Sequence, residues 1–120
     1  MGEQINIEEL LLNGTPAQIE AMIRFIHPAD VLDVLHEHED LAREILQKLP
    51  DEMIGAIIDE EEAEDKYELL RGFTRTHQKT ILDEMSSDEI TDMIGSMDDE
   101  EGKDVFNILD KEDQEDVKQL

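Results

Sequence analysis

No cysteine occurs in the 120 residues, which removes disulfides and thiol catalysis and agrees with a cytosolic setting. Tryptophan is missing too, and Phe25, Phe73, Phe106 and Tyr67 are the whole aromatic complement, so any core must be aliphatic and thin. Basic residues are scarce: Lys and Arg number 10 against 34 Asp and Glu, a formal charge of -24. Free nucleic acid is excluded as a partner because its phosphates would be repelled, and an anionic lipid surface is disfavoured for the same reason. Cations, a basic protein surface, or another domain whose contact is bridged by cations remain. No apolar run approaches the roughly 20 residues of a membrane span. Residues 1–14 lack the basic start of a signal peptide and carry Glu3, Glu8 and Glu9. Met1-Gly2 is read as a simple start, since myristoylation wants Ser or Thr where Asn6 stands.

The apolar residues that are present fall in register. Ile7, Ile19, Val31, Ile45, Ile57, Leu69, Ile81, Met93, Val105 and Val117 recur every 12 residues, except for one step of 14 between Val31 and Ile45. One position later stand Leu32, Leu46, Ile58, Leu70, Leu82, Ile94 and Phe106, and four positions later Leu11, Ile23, Leu35, Leu49, Phe73, Met85, Met97 and Leu109. Offsets of 0, 1 and 4 share one face of an α-helix. A continuous helix could not keep that face aligned every 12 residues, because its turn is about 3.6 residues. Such order also argues against the disorder that acidity and few aromatics would otherwise signal. The pattern therefore predicts an all-α fold, an α-solenoid of about ten short helices stacked through turns. No segment alternates with period 2, so no strands are expected.

Start signals recur at the same step. Thr15-Pro16-Ala17-Gln18 and Ser86-Ser87-Asp88-Glu89 read as capping boxes, the first with proline at the first helical position. His27-Pro28-Ala29-Asp30, Pro50-Asp51-Glu52, Asp98-Asp99-Glu100-Glu101 and Asp110-Lys111-Glu112-Asp113 place acids at the positive helix end. Helices are predicted over 4–12, 16–25, 28–36, 40–48, 51–60, 62–72, 75–84, 87–96, 99–108 and 111–119. Two irregularities interrupt the repeat. Two extra residues fall within 36–40, predicting a loop of different shape. The third column fails at Glu61, and that unit is expected to be the least well buried.

Chemistry-bearing motifs are few. G-x-G-x-x-G, G-x-x-x-x-G-K and G-x-S-x-G are all absent, and the run before Gly102 places Met97 where an EF-hand needs its first ligand. No convergent polar constellation points to an enzyme. His36-x-His38 with Glu37, Glu39 and Asp40 has zinc-type donors, but no third spaced histidine or cysteine supports it, so a solvated loop is the better reading. His27 reads as a helix-start residue, and the methionines as core filler. The carboxylate runs at 59–62, 88–92 and 98–101 read first as solvated faces and favourable charge at helix starts. Their alternative is a surface where hydrated Mg²⁺ or Ca²⁺ collects, which leaves no sharp spacing signature.

The phrase Ile26-His27-Pro28-Ala29-Asp30-Val31-Leu32 resembles the opening of the cytosolic N-terminal domain of MgtE-type magnesium transporters. Leu49-Pro50-Asp51-Glu52, Ser86-Ser87-Asp88-Glu89 and Met97-Asp98-Asp99-Glu100 stand where that family has its turns, and the resemblance covers about residues 17–120. It implies a right-handed superhelix forming a single domain over 1–120. It implies a regulatory role at the cytoplasmic face of the membrane, with Mg²⁺ as cofactor and the CBS domains of the same full-length, homodimeric protein as partners. In that family high Mg²⁺ draws acidic domains together and closes the pore. CBS and transmembrane segments are absent from this chain, which looks like an excised regulatory piece. The resemblance gives Asp88 as the first metal ligand, with Glu89 and Asp92 beside it. Ala56 stands where relatives carry an acid, so no second site is expected there. The rival reading is a helical protein-interaction module like those of flagellar motor-switch proteins, without metal sensing; downstream CBS and transmembrane sequence in the full gene would separate the two.

Overall fold

A computed structural model describes residues 6–119. Among these residues the chain forms ten α-helices and no strand. They are α1 (Ile7–Asn13), α2 (Pro16–Met22), α3 (Pro28–Glu37), α4 (Ala42–Gln47), α5 (Asp51–Glu60), α6 (Ala63–Leu70), α7 (Arg75–Asp83), α8 (Ser87–Ser96), α9 (Asp99–Ile108) and α10 (Lys111–Gln119). Short 3₁₀ turns at Ile23–Phe25 and Glu39–Leu41 join α2 to α3 and α3 to α4. The second of these takes up the two extra residues of the broken repeat. Residues 4 and 5 of the first expected helix lie outside the described residues; Asn6 is a cap rather than a helical residue.

Most helices begin on a side chain that accepts an otherwise free N–H. The Thr15 hydroxyl accepts from Gln18 N–H at 3.2 Å while the Gln18 side chain accepts from Thr15 N–H at 2.9 Å, a complete capping box. His27 Nδ1 accepts from Ala29 N–H at 3.1 Å, which makes it a helix-start residue as expected. Asn6, Thr74, Ser86 and Asp98 each accept from the N–H three residues on. At Ser86 only half of the expected box forms, because the Glu89 carboxylate turns to Lys66 instead.

The odd-numbered helices stack in one row, α1 on α3, α3 on α5, α5 on α7 and α7 on α9. Helices α6, α8 and α10 form a second row beside it. The result measures 50 × 26 × 22 Å, an elongated stack compatible with a superhelix of short units. Gly55 lets two neighbours in the first row meet closely: a Cβ there would stand 2.8 Å from the Glu84 Cβ at the end of α7.

The apolar columns line a continuous core. Ile19, Val31, Ile45, Ile57, Ile81, Met93 and Val105 are buried from the first, and Leu32, Leu46, Ile58, Leu70 and Leu82 from the second. Ile94 and Phe106 are partly buried against that core, as are Ile7, Leu69 and Val117. One expectation fails. The unit containing Glu61 is among the best buried, with Ile54, Ile57 and Ile58 all at 0 % exposure and Glu61 itself at 7 %. The acid is accommodated because its oxygens find partners, Oε1 accepting from Glu62 N–H at 2.9 Å and Oε2 facing His36 Nε2 at 2.8 Å. A buried polar group that is hydrogen-bonded avoids most of its desolvation cost.

Candidate functional site

The α5–α6 and α7–α8 turns meet around one buried cation. Lys66 in α6 is 1 % exposed. Its ammonium donates to the carbonyl oxygens of Ile58 at 3.0 Å, Asp59 at 2.8 Å and Glu61 at 2.6 Å. These are carbonyls at the end of α5, where the helix dipole favours positive charge. The fourth partner is a carboxylate: Glu89 Oε2 lies 2.9 Å from Lys66 Nζ. Glu89 is thus already engaged in holding α8 against the α5–α6 turn.

Around this cation the carboxylates crowd. Asp59 Oδ2 accepts from Ser86 N–H at 3.4 Å, a long bond. Its other oxygen, Oδ1, is buried and has no hydrogen-bond partner among the described residues. Burial pushes the Asp59 carboxyl up from the ordinary aspartate range; the Ser86 N–H opposes this, and the Glu89 charge adds to it. Asp88 and Asp92 lie exposed on α8, one turn apart. Asp88, Glu89 and Asp92 do not gather as a set within 4.8 Å. The donors on and beside α8 are all carboxylate oxygens, and they stand apart rather than as a formed cluster. That chemistry fits a hard cation such as Mg²⁺, which uses few protein carboxylates and keeps several waters.

Tighter carboxylate groupings occur elsewhere. Asp83 at the end of α7, Asp110 before α10 and Asp113 in the first turn of α10 place ligand atoms within 4.8 Å of one another. Lys79 Nζ already lies 2.7 Å from Asp110 and 3.6 Å from Asp83. Burial, followed by the charges of Asp83 and Asp110, pushes the Asp113 carboxyl up. The sequence reading missed this trio because Asp83 is far from the other two in sequence; the stacking of the α7 end beside the α9–α10 turn was the needed signal. Glu8, Glu37 and His38 form another close group, but its histidine is already hydrogen-bonded to one of its carboxylates. His38 Nε2 is 3.0 Å from Glu8 Oε2, and that hydrogen bond holds the Glu8 carboxyl below its usual range. His36 and His38 therefore face different carboxylates and do not form the shared zinc-type site that their spacing allowed. Ala56 lines a groove with Pro28, Pro50, Met53 and one acid, Glu52, and itself supplies no carboxylate.

Among the described residues no helix is long and apolar enough to cross a membrane. Residues 26–120, which are 95 of the 120, match the family model described as the MgtE intracellular N domain. No curated protein matches the chain. Helices α1 and α2 precede the matched stretch, yet Leu11 and Ile19, both at 0 % exposure, extend the same core.

Proposed function

Because the chain belongs to the family of MgtE intracellular N domains, we propose that it is the Mg²⁺-responsive regulatory domain of a magnesium transporter. The family is one of transporter domains and not of enzymes. In this reading residues 1–120 act as one domain at the cytoplasmic face of the membrane. Its partners are the CBS domains of the same full-length, homodimeric protein. The family match is the observation that carries the reading, and it favours the transporter over a motor-switch-like module.

The acid patch supports a mechanism. Bound Mg²⁺ supplies positive charge to oxygen ligands while keeping part of its water shell. Asp88 and Asp92 present their carboxylates on the open side of α8, free to share a cation with an opposing domain. Glu89 is the least available of the three residues assigned from the sequence, and its role is to fix α8 through Lys66. With 34 acids and 10 bases, the domain repels any other acidic surface until that charge is offset, and the repulsion holds the two apart. Cation-bridged approach would close the pore.

The experiment is ion flux through the full-length transporter, reconstituted, as Mg²⁺ is raised on the cytoplasmic side. Asp88→Asn with Asp92→Asn should raise the Mg²⁺ concentration needed for closure several-fold while leaving flux at low Mg²⁺ unchanged. Closure at the same concentration in both proteins would remove these two residues from the sensor.

A further inference from the structure

The two breaks in the repeat meet each other. His36 comes from the stretch with two extra residues, and Glu61 stands where the third column lacks its apolar residue; their side chains touch at 2.8 Å. The contact ties the end of α3 to the α5–α6 turn. Glu61 is the recessed member, with 5 % of its side chain exposed, while His36 is half exposed and open to protons from solvent. Charged groups face His36 from every side of this joint: Asp33 on its own helix, Asp65 on α6, and Glu39 and Glu68 lining the same hollow. No Lys or Arg lines that hollow; Lys66 on α6 donates to the Glu61 backbone carbonyl at 2.6 Å and pairs with Glu89, not with the Glu61 carboxylate.

We propose that His36 is a proton-operated latch, which clamps α3 to the α5–α6 turn through the buried Glu61 carboxylate when protonated and loosens that joint when neutral. The reasons are electrostatic. A recessed carboxylate with no Lys or Arg in ion-pair contact is costly, and a cationic donor makes a bond about twice as strong as a neutral one. Histidine is the side chain whose charge changes near physiological pH. Glu61 holds the His36 pKa above the ordinary histidine value through their hydrogen bond; burial opposes this, and Asp33 and Asp65 reinforce it. The sign follows: the stability contributed by the pair is fully present below the unfolded-state value of about 6.5 and is lost as pH rises through the higher folded-state value. The same joint is therefore stiff in mildly acidic surroundings and loose in alkaline ones, independently of any metal.

The test uses the whole chain. Histidine ring signals are followed by NMR between about pH 5.5 and 9, a range that brackets histidine titration, for wild type, Glu61→Gln and His36→Gln. Amide exchange at residues 57–63, corrected for the intrinsic effect of pH, is compared at the two ends of that range. His36 should titrate above the free-histidine value in wild type and fall back toward it in Glu61→Gln. Protection at the joint should drop several-fold on going alkaline in wild type, and should be low and independent of pH in His36→Gln. Normal titration of His36 in wild type would overturn the proposal. So would a protection loss of the same size in His36→Gln, a variant at a half-exposed position that keeps the test open if Glu61→Gln does not fold.

Discussion

Replacing Lys66 by methionine is expected to lower the unfolding free energy by about 3 kcal/mol, the lower end of what breaking a buried ion pair costs. Methionine fills similar volume but leaves the carbonyls of Ile58, Asp59 and Glu61 without their donor. Stranding a buried acceptor costs more than removing both partners of a bond. The lower end applies because about a third of the Glu89 side chain is exposed and can recover solvent when the ammonium is gone. Glu89→Gln should therefore cost only about 1 kcal/mol or less, as for a solvent-screened pair. Urea unfolding of the three proteins measures both. If Lys66→Met stays within about 0.5 kcal/mol of wild type, the range of an ordinary surface change, the lysine is not the keystone of the α5–α6–α8 junction.

Leu82→Ala should cost about 2–5 kcal/mol, the range for truncating a buried leucine. Leu82 is 1 % exposed and belongs to the core cluster that runs through Ile58, Leu70 and Met93. With so few aromatics the core has little else to rely on, so one aliphatic cavity removes a large share of the margin of a small domain. A loss under about 0.5 kcal/mol, which is what surface positions show, would mean that the column does not carry the fold.

The helix boundaries were legible because the apolar face and the 12-residue step agree along the chain, and a capping side chain marks six of the ten starts. A fourth column was present but hidden by its chemistry. Ala42, Ile54, Lys66, Gln78, Ile90, Gly102 and Gln114 also stand 12 apart, and Ile54, Lys66, Ile90 and Gly102 are buried. Where this slot is polar its side chain closes off a preceding helix or turn. Lys66 does so at the end of α5, Gln78 by donating to Phe73 O at 2.8 Å, and Gln114 by donating to Phe106 O at 3.0 Å. A search for apolar periodicity cannot see a column that mixes isoleucine and small residues with hydrogen-bond donors. The same limit explains Glu61, which a hydropathy pattern reads as exposed because it does not know that His36 faces it.

The candidate site was legible only as charge. Sequence marked Asp88, Glu89 and Asp92 as near neighbours, and all three stand within α8. It could not reveal that Lys66, 23 positions before Glu89, engages that carboxylate, nor that Asp59 comes beside Ser86. Contacts of this kind depend on which turns the stacking brings together, and no local pattern encodes them.

Thermal unfolding with and without Mg²⁺ tests the central claim most directly, that carboxylates around the start of α8 gather a divalent cation. The background should be about 150 mM KCl, where the Debye length is already about 8 Å and simple screening of repulsion is largely spent. Binding to the folded state alone adds RT ln(1 + [L]/Kd), about 1.4 kcal/mol at ten times Kd. For this chain by itself the gain should be smaller, since in the proposed mechanism part of the ligand set comes from the CBS partner. Millimolar MgCl₂ should raise the midpoint of the wild-type protein more than a KCl addition of equal ionic strength. It should raise that of Asp88→Asn with Asp92→Asn no more than the KCl addition does. Contradiction would come from a Mg²⁺ response absent from both proteins, or equal in both.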